Sequence, residues 1–542
     1  MCRRGDLTRL ENRLLGEINI ESIKTLDERI KQHERALVDL KRTRNSLLNV
    51  SKLPPEVLGN IFRWNVSLKN DFGGLEKGSH NFLSVCHHWH EVALGTPELW
   101  SFWGNTLKDW ARWSRRSGTA PVDLVIDGTT FEDTIDYPLS NVLRDRAAWG
   151  TIRRIHLRSE NSNLLRSIIS QITPEEPRST DMESFILRRD ENISTTVDIS
   201  DFLTYNRFPK LQRLEYCGCR VSSWDLLKSR SPVLTTLDIF FRGRGPSPNT
   251  SQLLSILASY PTLQNVALSW SEDPVGGGGA PSGRASLHHL KELDLFAPVE
   301  DLFGLLDRLD HPRNMDRLRL TPDRCPFEDI SRTIGPYLQD YLRGRGMSQT
   351  GLGLSLQCSP SGTIRLFVGD MGAIDFLVPT GPRVNTFMTI NVYLIRRPPR
   401  DLLGGAIADL IARTSREEVV YFQACGDIVA MNMKDIYTLL PNLRGLHLRK
   451  TSLPPAFLRL NLGGGMEIFP SLQFVFLDWV ILDGADWSPL ATFLDHRATS
   501  GNQLHTLVIA SETPRAWKEL ERAVRVYKHL DTLSQNFFLH SG

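Results

Sequence analysis

Apolar positions along the chain follow three different rhythms. From Ile23 they recur at alternating spacings of three and four: Ile23, Leu26, Ile30, Leu37, Leu40 and Leu47, with His33 and Arg44 as polar interruptions. This is a heptad seam on a helix, set within the charged stretch 7–50, which has no Pro and only Gly16. The seam is shorter than four heptads. That length favours an amphipathic helix packed on its own protein over an autonomous coiled coil.

The second rhythm is short and dense. In KLPPEVLGNIF, Pro55 suits the first position of a helix, where its missing N–H would have had no partner, and Pro54 holds the preceding chain extended. Val57, Leu58, Ile61 and Phe62 then share one helical face. A second helix is expected from about Asn81 to Leu94, with Phe82, Val85, Cys86, Trp89, Val92 and Ala93 at helical spacing. The turn GTPELW should bring Leu99 and Trp100 back to the same surface. Two or three short helices this rich in large apolar side chains cannot bury them all among themselves. Much of the face should lie against something else.

From residue 150 onward the pattern L-x-x-L-x-L recurs, with other apolar residues allowed. Its best units are Leu211, Leu214, Tyr216, then Leu443, Leu446, Leu448, then Leu472, Val475, Leu477. Seven more follow the same spacing, led by Ile152, Met182, Leu234, Leu263, Leu290, Met315 and Leu504. Pro209, Pro232, Pro261, Pro441 and Pro470 each stand two residues before a unit. Helical runs such as QLLSILASY, EDLFGLLDRLD and KDIYTLL lie between units. A strand, loop and helix repeated every roughly 23 to 32 residues is in the range of leucine-rich repeats. One such unit cannot close its own core, and stacking the next one buries it. Residues 321–440 break the rhythm. There GLGLSLQCSPSGTIRLFVGD reads as a β-hairpin and FMTINVYL as a further strand. The segment is expected to stay attached to the sheet as an irregular insertion. GGGG at 276–279 and GGG at 463–465 read as linkers, and a helix opened by Thr513 and Pro514 would cover the last repeat.

LPPEVLGNIF followed by FLSVCHHWHEVALGTPELW resembles an F-box. The agreement runs in order through Leu53, Pro54, Glu56, Val57, Leu58, Ile61, Phe62, Val85, Cys86, Trp89, Leu99 and Trp100. With the heptad helix in front and the degenerate repeats behind, the chain is similar to the large fungal group of F-box-like proteins. It departs from the family at two places. The glycine-rich loop Asn65 to His80 is longer than the usual join, and His87, His88 and His90 stand where basic residues often flank the tryptophan.

The fold class expected is therefore α/β: an N-terminal helix (1–50), a small all-α F-box-like module (51–105), a connecting segment (106–150) and an irregular leucine-rich-repeat solenoid (151–542). The resemblance implies a substrate-recognition subunit of a Skp–cullin–F-box ubiquitin ligase. Leu53, Pro54, Val57, Leu58, Ile61, Phe62, Val85, Cys86, Trp89, Leu99 and Trp100 would make or support the contact with a Skp-family adaptor, which is bound to a cullin. The repeats would hold a protein substrate. The alternative is a non-catalytic repeat scaffold without a ligase.

Composition adds mainly exclusions. Of 542 residues 41% are hydrophobic and 23% charged, ordinary for a globular chain, and a net charge of +2 argues against a nucleic-acid partner. Seven scattered Cys do not read as a disulfide framework. No signal peptide and no membrane helix is visible, so the cytoplasm or nucleus is expected. His87, His90 and Glu91 have ligand spacing on a helix but lack the partners zinc requires, and no metal or other cofactor is expected. Cys217-x-Cys219 is explained by the repeat, whose turn position takes Cys219. Arg-Gly-Arg-Gly at 242–245 and 343–346 is too brief and too poor in aromatics for RNA. No Walker loop, dinucleotide fingerprint, nucleophile elbow or zincin motif occurs, and nothing recommends an enzyme.

Overall fold

A computed structural model describes residues 4–68, 81–103, 110–127, 152–173, 178–179, 181–189, 197–228, 231–241, 248–270, 283–312, 315–323, 332, 334–345, 352–358, 363–370, 385–393, 408–409, 411–412, 419–426, 439–449, 469–478, 493–494, 497, 499–502, 504, 506–510 and 537–540. These residues form a mixed α/β protein with nine α-helices and a mostly parallel sheet. The chain divides into two units, Met1–Ser159 and Glu160–Gly542.

The first unit opens with α1, the 43-residue helix Arg4–Ser46. Its described seam differs from the expectation of a packed helix. Ile23, Leu26, Ile30, Leu37, Leu40 and Leu47 are all exposed. A 3₁₀ turn, Asn49–Lys52, leads to α2, Pro55–Leu68, with Pro55 at its first position as its chemistry requires. Residues 65–68, read from sequence as the start of a loop, belong to this helix, and 69–80 lie outside the described residues.

The single helix expected over 81–94 is broken in two: a 3₁₀ turn Asn81–Ser84, and α3, His87–Leu94. A continuing α-helix would offer the Asn81 carbonyl to the N–H of Val85. Instead the Ser84 hydroxyl takes that carbonyl at 3.0 Å, and the Val85 N–H turns to Phe82 O at 3.4 Å. Cys86 is then fully extended (φ −160°, ψ 168°) as the residue before α3. It is not on a helical face. The 3₁₀ turn Pro97–Trp100 follows, then β1 (Phe102–Trp103), α4 (Trp110–Ser117), β2 (Val122–Asp127) and β3 (Ile152–Ser159). β1, β2 and β3 pair in parallel, and Arg153 holds Asp123 through both carboxylate oxygens at 2.8 and 3.1 Å.

In the second unit the helices are α5 (Ser162–Ile172), α6 (Ser200–Tyr205), α7 (Thr250–Ala258), α8 (Val299–Leu306) and α9 (Gly335–Arg345). Helix α7 is opened by a capping box between Asn249 and Gln252. The strands begin with β4 (Ser184–Arg189), β5 (Arg213–Cys217), β6 (Thr236–Phe241), β7 (Asn265–Trp270), β8 (Glu292–Pro298) and β9 (Arg317–Asp323), each paired in parallel with the next. The L-x-x-L-x-L spacing explains the register. Phe185, Leu214, Leu237, Val266, Leu293 and Leu318 align in one row, and Leu187, Tyr216, Ile239, Leu268, Leu295 and Leu320 in the next but one. All are buried, as alternation along a strand dictates for one face.

The prolines ahead of the units have a local task. In Phe208-Pro209-Lys210-Leu211, Tyr260-Pro261-Thr262-Leu263 and Leu440-Pro441-Asn442-Leu443 the fourth N–H donates to the first carbonyl at 3.2, 3.2 and 3.3 Å. Pro at the second position presets φ for such a turn.

The expected insertion is built into the sheet. β10 (Leu352–Cys358) and β11 (Thr363–Asp370) form the antiparallel hairpin, and β12 (Asn385–Tyr393) covers the predicted third strand except Leu394, which lies outside the described residues. β9 pairs in parallel with β12, β12 and β10 flank the reversed β11, and β10 pairs in parallel with β13 (Val419–Gly426). β14 (Gly445–Arg449), β15 (Phe474–Asp478), β16 (Thr506–Ala510) and β17 (Phe537–His540) continue in parallel. The apolar row of Leu318 passes through Met388, Val368, Leu354 and Phe422 to Leu446 without a slip. KDIYTLL up to Thr438, both glycine runs and the expected C-terminal helix lie outside the described residues.

Candidate partner-docking surface

The short helices of the first unit do more for one another than the sequence suggested. Leu58, Phe62, Phe82, Val92, Ala93, Leu99 and Trp100 form a buried core, with Leu53, Leu83, Trp89, Leu94 and Trp113 packed around it. Phe62 stacks on Phe82 with ring centroids 4.5 Å apart and meets Trp89 at 5.2 Å. The Trp100 indole N–H donates to Ala93 O at 2.8 Å, so the closing tryptophan ties the 3₁₀ turn to the end of α3. Trp113 of α4 meets its ring edge-on at 5.2 Å, and the Arg116 guanidinium lies 4.3 Å from the ring centroid. Gly59 lets α2 approach this turn closely: a Cβ there would sit 3.1 Å from Thr96 Oγ1.

The expected contact residues therefore separate into three groups. Leu58, Phe62, Leu99 and Trp100 are buried in this core and present no surface to a partner. Leu53, Cys86 and Trp89 are half-buried. Pro54, Val57, Ile61 and Val85 are exposed. Burial of a neighbour such as Phe62 fixes the helix; exposure of Ile61 leaves an apolar side chain in water. Trp64, which sequence reasoning passed over, is 68% exposed. Its signal was available, because Val57, Ile61 and Trp64 fall at spacings of four and three on α2. Among the described residues outside residues 23–85, Val233 alone is a comparably exposed large apolar side chain. Isolated exposed apolar residues are ordinary; several on one short helix make α2 the candidate interaction surface.

His87 Nδ1 lies 3.2 Å from Glu91 Oε2 on an exposed turn of α3. The Trp89 indole N–H and His88 Nε2 are buried with no hydrogen-bond partner among the described residues. No group of three or more His, Cys, Asp or Glu side chains is placed to hold a metal ion among the described residues. Among them, too, no helix is long and apolar enough to cross a membrane.

In the second unit one row on the sheet face opposite the leucine rows is mostly charged. Glu215, Asp238, Ala267, Asp294 and Arg319 align across β5 to β9. Glu215 is held by Arg188 and by Arg213, the latter at 3.0 Å, and Arg319 binds Asp294 at 3.2 Å. Burial, reinforced by Glu215, pushes the Asp238 carboxyl up to about 7. Burial also raises Asp294, against the pull of Arg319 and Arg317. Cys219 is buried and its thiol is pushed up by burial first and Cys217 second, the state of an inert core thiol. Of the two Arg-Gly-Arg-Gly runs, the first is outside the described residues. The second begins within α9, where Arg343 pairs with Asp340 at 3.6 Å.

The chain matches no family model and no curated protein.

Proposed function

We propose that this protein is a substrate-recruiting subunit of a Skp–cullin–F-box ubiquitin ligase. Residues 51–105 act as an F-box-like module, and the strands and helices from 151 onward as a leucine-rich-repeat solenoid that holds a protein substrate. The observation that carries the reading is the exposure of Val57, Ile61 and Trp64 on one face of α2, over a core that is already complete without them. A helix presenting apolar residues at such spacing suits a groove on a partner, and a tryptophan at its end is a typical anchor. The ordered resemblance through Leu53, Pro54, Val85, Trp89 and Trp100 names that partner as a Skp-family adaptor, with a cullin behind it. The protein performs no bond chemistry. It holds a substrate lysine close to a charged conjugating enzyme and so raises the effective concentration of the reacting pair. Its place of action is the cytoplasm or nucleus.

Co-purification tests this directly. The full chain should bring down a purified Skp-family adaptor, and Ile61→Asp with Trp64→Ala should abolish the capture while the protein stays folded. A wild-type chain that is soluble alone and ignores the adaptor would leave the repeat scaffold as the better account.

A further inference from the structure

Helix α1 is a long helix with an apolar seam that the described chain does not cover. Its five apolar seam residues from Ile23 to Leu40 are exposed, and so is Leu47 in the turn directly after it, to 72%. From Ile23 to Leu47 the seam extends about 36 Å at 1.5 Å per residue. An apolar stripe of this length is shielded by a partner in stable helices.

We propose that α1 pairs with the α1 of a second copy of this chain, as a parallel two-stranded coiled coil. The heptad places Ile23, Ile30, Leu37 and Arg44 at a positions and Leu26, His33, Leu40 and Leu47 at d positions. Isoleucine at a with leucine at d favours two parallel strands, and Ile stands at two of the four a positions and Leu at three of the four d positions. The flanking positions agree. In a parallel pair each g residue faces the e residue five places on in the partner helix. Arg29 thus faces Glu34 of the other copy, twice by symmetry, and Ser22–Asp27, Ala36–Lys41 and Thr43–Leu48 bring no like charges together. An antiparallel pair that matches a with d layers sets Asp27 against Lys41 twice but also puts Glu34 against Glu34, a like-charge contact that the parallel pair lacks. His33 forms a polar layer in mid-seam, the kind of interruption that penalises a shifted register. Arg44 is a second polar interruption, near the end of the seam, and its guanidinium Nη2 donates to Asn45 Oδ1 at 3.1 Å on the next position round the helix. The parallel direction brings the C-terminal ends of the two helices together, and with them Leu47, Leu48 and Val50, all exposed in the single chain. The pairing does not depend on the ligase reading, and its test involves no adaptor.

Sedimentation equilibrium of the full chain tests it. The expected result is a monomer–dimer equilibrium at micromolar concentration. Leu37→Asp, at an exposed position, should leave the melting temperature of the chain unchanged and weaken the dimer by more than about tenfold. Arg29→Glu should weaken it as well, and Arg29→Glu combined with Glu34→Arg should restore it, which an antiparallel pair would not allow. Leu40→Cys should cross-link two chains on mild oxidation, and Gln32→Cys, on the outer side, should not. A chain that remains monomeric at high micromolar concentration overturns the proposal. So does a dimer indifferent to Leu37→Asp, or one that the charge exchange fails to restore.

Discussion

Ile61 and Phe62 are neighbours in the chain with opposite surroundings. Ile61 is 45% exposed on α2, while Phe62 is 2% exposed and stacked on Phe82. Substitutions at the two sites should therefore separate binding from folding. Phe62→Ala should cost about 3–5 kcal/mol of stability through the cavity it leaves. Ile61→Asp should stay within about 0.5 kcal/mol of wild type, because the site already faces water. Urea unfolding of the two variants checks the contrast. Equal destabilisation would mean that Ile61 is a core residue and that α2 offers no apolar surface.

The buried pair Tyr421–His447 predicts acid lability. Tyr421 Oη and His447 Nδ1 are 3.0 Å apart, and the imidazole also packs against the Phe476 ring at 5.7 Å. Burial first, and the Arg449 charge second, lower the His447 pKa from 6.5 to about 4. The folded value lies below the unfolded one, so the unfolded chain binds the extra proton in between. The stability this group confers is complete above pH 6.5 and is lost as the pH falls toward 4. His447→Phe should flatten the slope of unfolding free energy over that window, measured as the difference from wild type.

Asp238 predicts the opposite sign. Its pKa is raised from 3.8 to about 7, by burial first and Glu215 second. The folded state resists its ionisation, so its contribution is most favourable below pH 3.8 and declines as the pH rises through about 7. Asp238→Asn keeps the shape without the charge. It should stabilise the protein by on the order of 1 kcal/mol above neutral pH, discounted for the solvent that still reaches the site. The gain should vanish in acid. Thermal melts at two pH values decide it.

Arg497 should matter more than a surface arginine. It is 1% exposed and donates to Phe469 O and Leu472 O, each at 2.8 Å. It thereby braces the turn ahead of β15, in which Phe469 holds a left-handed φ of 57°. Arg497→Met should cost about 1–3 kcal/mol, chiefly at the Leu472 carbonyl, because Phe469 O still accepts the Leu472 N–H at 3.1 Å. A change below that in denaturant unfolding would show that water replaces the guanidinium.

The strands were legible in the sequence because their evidence is local. Leu211, Leu214 and Tyr216 have one spacing, and that spacing recurs at Leu234, Leu237 and Ile239, so the register follows. The reversed hairpin was legible for the same reason, from two alternating runs around Ser-Pro-Ser-Gly. Other features depend on partners distant in sequence. Val57, Leu58, Ile61 and Phe62 are alike as a pattern; Phe82 and Trp89 decide that only half of them turn inward. The break at Cys86 depends on which donor wins the Asn81 carbonyl, and apolar spacing does not register that contest. Heptad spacing in α1 reads the same whether the seam is covered or bare. The role of Arg497 rests on contacts with residues 25 and 28 places away.

The reversed strand β11 has a consequence for how such a chain can lengthen. With β12 on one side and β10 on the other, the three-strand block presents to β9 and β13 the same direction of travel that they would offer each other. Its apolar rows enter and leave in phase. The block is thus a closed cassette: strands enter it and leave it in one direction and one register, so its three strands lengthen the sheet without reversing the strands beyond it.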